Sequence, residues 1–223
     1  MIYPQGKCVP ILEIVASTTP SFNIRVVPGF CITRAESGVS RKTVNKWFRV
    51  LRAKSKEYLD EHRDIVGGRG MTVEIDESVL TKRKYNRGRL SANNQVWAVG
   101  GICRENKIFF LELVEKRDRA TLHDIILENV APETIITTDR RAYNGLETYG
   151  YEHRTVNHSQ NFVDPGDWEI HTQGIEILWG KLKPYLRRKG THKASIDSYV
   201  REFEFKRHNP NVFATIIEAL KAE

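Results

Sequence analysis

Residues 71–78 read MTVEIDES. Val73 and Ile75 alternate with Glu74 and Asp76, the period of two that marks a β-strand with unlike faces. Two carboxylates therefore share one face. On a solvent-facing edge they would be ordinary surface residues; a face that also received acids from elsewhere in the chain would be a site. The choice rests on partners further along.

The chain has 223 residues, 40% of them hydrophobic, which suits one domain with a real core plus a small appendage. Thirty-five Lys and Arg against 28 Asp and Glu leave a net charge of +7. A pI near 9.3 follows. This balance favours a polyanionic partner, nucleic acid before a membrane surface. No apolar run approaches the roughly 18–20 residues of a spanning helix, so neither a membrane anchor nor a signal peptide is expected. Cys8, Cys31 and Cys103 are scattered and odd in number, which supports neither a disulfide framework nor a Cys-pair zinc site. A reducing compartment follows, the nucleus in a eukaryote and the cytoplasm otherwise.

Residues 1–31 mix Pro, Gly and β-branched residues without a period. From Ile32, ITRAESGVSRKTVNKWFRVLRAK reads as the end of a short helix, a turn at 37–39 and a second helix with Ser40 as N-cap. This is the pattern of a partial helix-turn-helix within an N-terminal region spanning 1–66. Val44, Trp47, Phe48 and Leu51 form one face, with Arg41, Lys42, Asn45, Lys46, Arg49 and Arg52 mostly elsewhere. Two readings fit the basic face. Arg41, Lys42 and Asn45 could enter a DNA major groove, or the helix could simply carry a solvated basic side. The charged stretch 58–70 ends in GGRG and suits a hinge.

The main domain, expected over 70–210, opens with the Asp76 strand. TKRKYNRGRLSANN follows, with Lys82, Arg83, Lys84, Arg87 and Arg89 around Tyr85. Such a loop serves either as a phosphate-gripping guide beside the acids or as a solvated hairpin tip. QVWAVGGICR and KIFFLELVEKR, parted by the turn signal Glu105-Asn106, complete a three-stranded antiparallel meander. RATLHDIILENV carries Leu122, Ile125, Ile126 and Val130 at helical spacing. TIITTDRRAYNGL then gives a short strand ending at Asp139, where open α/β sheets place their sites. A strand at HRTVNH precedes the longest expected helix, Gln173 to Lys189. Ile175, Leu178, Trp179, Leu182, Tyr185 and Leu186 form its apolar stripe, Glu176 lies one position off it, and Pro184 would bend it. Two closing helices follow, the second in 211–223, with Tyr199, Phe203, Ile216, Ile217 and Leu220 as core candidates.

Three strands, a helix, a strand ending in an acid, another strand and a helix bearing an acid follow the order of an RNase H-like α/β domain: a mixed sheet flanked by helices. Three acids brought together would repel one another unless a cation were bound. Oxygen ligands without Cys or His pairs indicate Mg²⁺ or Mn²⁺. Two such ions can activate a water or a 3′-hydroxyl for in-line attack on a phosphodiester.

VEIDES, KRKYNRGR, VWAVGGICR, TTDRRAY, VNHSQNFVDP and HTQGIEILWGKLK, in this order, resemble the DDE transposases of the Merlin superfamily and their bacterial insertion-sequence relatives. The resemblance covers roughly residues 72–209. In that family 36 residues separate the last two acids, and residues 140–175 separate Asp139 from Glu176 here. The resemblance implies that Asp76, Asp139 and Glu176 are the catalytic, metal-binding triad of a polynucleotidyl transferase using two Mg²⁺ or Mn²⁺ ions. Lys183 matches a basic position of the family and, with Lys181, is expected to grip the DNA backbone. The implied partners are double-stranded transposon ends and target DNA, with a homo-oligomer formed on DNA. The implied reaction is hydrolytic nicking followed by strand transfer.

Such transposases carry a more complete DNA-reading region before the catalytic domain, so a truncated N-terminal region is expected here. His158, Asp164 and His171 could shape the site or only bond their loops, while Glu74 is expected to support Asp76 from the same face. Asp167 and Glu169 compete with Glu176 as third acid, but from a loop. Two other classes stay open: a domesticated DNA-binding protein without transposition, and an RNase H-like nuclease.

Overall fold

The computed structural model describes residues 40–81, 95–139, 141–155, 171–189 and 193–221. The chain divides into two compact units, 1–51 and 52–223, and the division falls within helix α1, Arg41–Glu61. In the first unit Ser40 caps that helix as expected, its Oγ accepting the Thr43 N–H at 3.2 Å. Val44 is buried, whereas Phe48, assigned to the same apolar face, is exposed. The preceding helix expected near residue 32 lies outside the described residues. At 21 residues α1 also exceeds the 17-residue helix expected to be longest.

The second unit is built on a five-stranded sheet of order β3-β2-β1-β4-β5, with β1 at Thr72–Val79, β2 at Trp97–Cys103, β3 at Phe109–Val114, β4 at Ile135–Thr138 and β5 at Glu152–Thr155. β1, β2 and β3 pair antiparallel; β4 runs parallel to both β1 and β5. Helix α2 (Arg119–Asn129) follows β3, two 3₁₀ turns (Arg141–Tyr143 and Leu146–Tyr149) follow β4, and α3 (Gln173–Lys189), α4 (Lys193–His208) and α5 (Val212–Lys221) close the chain. An antiparallel meander joined to parallel strands in this order, with helices on both faces, is an RNase H-like fold.

Period-two alternation divides the core into two clusters. Val73, Ile75, Val99, Phe110 and Ile136 join Leu122 and Ile126 of α2 in one of them. Ala98, Phe109 and Leu111 join Ile175, Leu178, Trp179 and Leu182 of α3 and Ile196, Val200 and Phe203 of α4 in the other. Glu74 and Asp76 project toward the α3 side. Their face is covered by a helix, which removes the solvent-edge reading of the carboxylate pair.

Two expectations change with the tertiary packing. Residues 62–71 are fastened to the sheet domain instead of forming a free hinge: Val66 bonds to Asn129 and Ala131 through its backbone, and the Gly68 N–H donates to Thr134 Oγ1 at 2.9 Å. Gly67 lies at φ 89°, and a Cβ there would stand 2.7 Å from that same Oγ1, so the glycine permits the close approach. Pro184, where a bend is expected, lies inside α3. Ile216, Ile217 and Leu220 are only half-buried and are not core, because α5 buries none of its residues among those described. Phe203 does belong to the core, and Tyr199 packs against it.

Glycine in β2 makes room for aromatic rings. A Cβ on Gly101 would fall 2.3 Å from Phe110 Cε1, on a ring that is itself fully buried. Gly101→Ala is therefore expected to destabilise the domain by about 1–3 kcal/mol, the usual range for overpacking a tight core. Urea unfolding should show a lower midpoint at unchanged slope, and a midpoint equal to wild type would contradict the packing described.

Candidate active site

Strand β1 and helix α3 meet through two hydrogen bonds. Glu74, with its side chain 1% exposed, accepts the backbone N–H of Ile175 through Oε2 at 3.0 Å. Asp76 accepts the Trp179 indole N–H through Oδ2 at 2.9 Å. Residues two apart on a strand face are roughly 6.6 Å apart, and residues four apart on a helix advance about 6 Å, so the two contacts match in spacing. The acid pair thus fixes the register of α3 against the sheet.

Glu74 is also held from its other side. Arg104 Nε donates to Oε1 at 2.7 Å, and His171 Nδ1 lies 3.4 Å from the same oxygen. The Arg104 guanidinium additionally bonds the carbonyl of His171, tying down the residue just before α3. A carboxylate at the first turn also complements the positive end of the helix. Gly174 makes the approach possible, since a Cβ there would stand 2.8 Å from Glu74 Oε2. Glu74 and His171 thus support the start of α3.

Asp139 follows β4 directly. The parallel register sets Glu74 beside Thr137; two residues on, that alignment carries Asp76 to Asp139. Adjacent strands lie about 4.8 Å apart, so the aspartates are neighbours. Their interaction is visible electrostatically. Burial, and then the Asp139 charge, push the Asp76 carboxyl up from 3.8 to about 6, against partial offsets from the Glu77 backbone N–H and Trp179. Asp139 Oδ1 is buried and has no hydrogen-bond partner.

Beneath this pair, on the opposite face of β1, Glu77 accepts the Tyr143 hydroxyl at 2.9 Å and lies 3.9 Å from Arg117. Burial, then Glu77 and both aspartates, raise the Tyr143 hydroxyl well above its ordinary range, keeping it a proton donor. Glu176 is exposed in the first turn of α3. Among the described residues no three His, Cys, Asp or Glu side chains stand together as a ready-made metal cage. The aspartates pair, and Glu176 lies on α3. Lys181 is exposed and Lys183 half-buried further along α3, and Lys42 and Asn45 are exposed on α1.

Lys82, Arg83, Lys84, Tyr85, Arg87, Arg89, His158, Asp164, Asp167 and Glu169 lie outside the described residues, as does the side chain of Arg41. Four contributors escaped sequence reasoning. Helical spacing places Trp179 in an apolar stripe, although a buried indole ordinarily needs a partner for its N–H. Arg104, Glu77 and Tyr143 carried no signal beyond their nearness to the acidic motifs.

Because folding raises the Asp76 carboxyl, its contribution to stability is fully present below about pH 4, where the unfolded carboxyl is protonated as well. That contribution is lost as pH rises through about 6, above which the charged pair opposes folding. In metal-free buffer at pH 7.5, Asp76→Asn should stabilise the protein by on the order of 2 kcal/mol, the gain fading towards pH 4. Urea titrations at both pH values check this; no gain at pH 7.5 would contradict it.

Comparison with known proteins bears on this geometry. A transposase-like protein of Haemophilus influenzae is 31% identical over 99 residues, covering 44% of this chain and 78% of that protein. A chain in the cryo-electron microscopy structure of the simian T-cell lymphotropic virus intasome in complex with PP2A regulatory subunit B56 gamma matches 62% of this chain, at 12% identity and a TM-score of 0.42. The match spans about half, 49%, of that chain. The ISXO2-like transposase domain matches residues 65–208, from the segment fastened below β1 to the end of α4, and so takes in both aspartates, α3 and the sheet between them. The chain belongs to the ISXO2-like transposase family, and its function is DNA transposase-like.

Proposed function

We propose that Asp76, Asp139 and Glu176 are the acids of a DDE polynucleotidyl transferase that cuts transposon ends and joins them to target DNA. The observation that carries this reading is the aspartate pair itself: two adjacent carboxylates, one raised by burial and then by the charge of the other, with a buried Asp139 oxygen left without a partner. Charge repulsion and an orphaned oxygen are the conditions that a hard cation relieves. The donors are all carboxylate oxygens, which fits Mg²⁺ or Mn²⁺. The chemistry such ions supply when bound is stabilisation of the attacking and leaving oxygens of an in-line displacement.

The chain's own residues account for the rest. Asp76 and Asp139 hold negative charge at a fixed place on the sheet, and Glu176 completes the triad from the exposed first turn of α3. Tyr143 keeps Glu77 bonded beneath the pair. Lys181 and Lys183 lie further along the same helix and grip the DNA backbone there. Water attacks a phosphodiester at the transposon end and releases a 3′-hydroxyl, which then attacks a target phosphodiester with loss of the target's own 3′-oxygen. Lys42 and Asn45 on α1 give the DNA-reading surface, and the partners are double-stranded terminal repeats and target DNA bound by a homo-oligomer.

Labelled terminal-repeat DNA with Mg²⁺ or Mn²⁺ tests the reading. Wild-type protein should nick and join it, whereas Asp139→Ala and Glu176→Gln should each lose at least about 100-fold in rate, the scale of a transition-state electrostatic contact. Equal cutting by Asp139→Ala would reject the triad. Metal-dependent binding without cutting would indicate a domesticated DNA-binding protein, and preference for RNA–DNA hybrids an RNase H-like nuclease.

A further inference from the structure

Trp179 is 4% exposed, yet it serves as more than filling. Its indole N–H ends on Asp76 Oδ2 at 2.9 Å. Its ring lies over Gly100, where a Cβ would meet Trp179 Cη2 at 2.9 Å and Cζ2 at 3.0 Å. Gly100 is in turn the β2 residue paired with Asp76. Strand, glycine slot and indole therefore converge on one carboxylate. A side chain of any other type at 100 would push the ring off this position, and among apolar side chains only Trp presents an N–H at its rim.

We infer that Trp179 is a positioning residue for cation binding, fixing the Asp76 carboxylate through Oδ2 so that its other oxygen is presented beside the unpartnered Oδ1 of Asp139. The inference rests on the proposed role of the aspartates. Trp179 stands three residues beyond Glu176, so the segment of α3 that brings the third acid also brings the donor that orients the first. Unlike a bonded water, the indole cannot be lost as the site fills, and it has no second proton to offer the remaining oxygen. Outer groups that orient a ligand in this way usually account for 10- to 100-fold in metal affinity.

The test uses full-length protein and Mn²⁺ alone, with free Mn²⁺ followed by its paramagnetic resonance signal. Trp179→Phe keeps an aromatic ring and loses the N–H. Replacing Trp179 with benzothienylalanine keeps the bicyclic shape and exchanges only the N–H for sulfur, which guards against a packing defect. Each is expected to weaken Mn²⁺ binding about 10- to 100-fold, with thermal unfolding of the benzothienyl protein in EDTA unchanged. Asp139→Ala should abolish binding. Wild-type affinity in the benzothienyl protein, with binding lost in Asp139→Ala, would overturn the role of Trp179 and leave the aspartate site standing. No Mn²⁺ binding by wild type, or equal binding by Asp139→Ala, would overturn the metal reading of the acids and this inference with it.

Discussion

The fold and the candidate site both depend on the grip of helix α3 on the acidic face of β1. Glu74 receives the helix at the Ile175 N–H, and Asp76 receives it one turn later at the Trp179 indole. A strand advances in steps of two along one face and a helix in steps of three or four, so only one register satisfies both contacts. A one-residue slip of β1 would turn both acids to the α2 side and bring Val73 and Ile75 under α3. The polar contacts thus specify what apolar packing by itself would leave loose.

This arrangement explains why costly groups are tolerated near the centre of the domain. Glu74 is buried, but Arg104, His171 and a backbone N–H surround it, so its charge is compensated within the chain. Asp76 and Asp139 differ. Asp76 accepts the Trp179 indole N–H, whereas one buried oxygen of Asp139 has no donor. Glu74 and Asp76 thus have unlike surroundings although they lie two residues apart on one strand. On the same face, Arg201 of α4 bonds Glu204, Glu112 and the Leu111 carbonyl and fastens α4 to β3.

Basic charge is distributed accordingly. Arg187, Arg188 and Lys189 end α3 where cations suit the negative end of a helix, while Lys181 and Lys183 lie nearer the acids. A net charge of +7 fits a protein whose family acts on DNA.

The sequence by itself determined the element order, the alternation of β1, the two core helices that flank it, the acid at the end of β4 and the span of α3, because each is written in a local period or an adjacent breaker. It also ranked Asp76 above Glu74, but on resemblance alone. Tertiary structure decided that the acidic face is covered, that Glu74 seats α3 while Asp76 faces Asp139, that Trp179 is a hydrogen-bond donor to the site, and that α5 buries none of its apolar residues. Those outcomes depend on contacts between residues as much as 103 positions apart, as with Trp179 and Asp76. Local periodicity reports which face of an element is apolar, but a hydrogen bond or a buried charge is defined only when two distant faces meet.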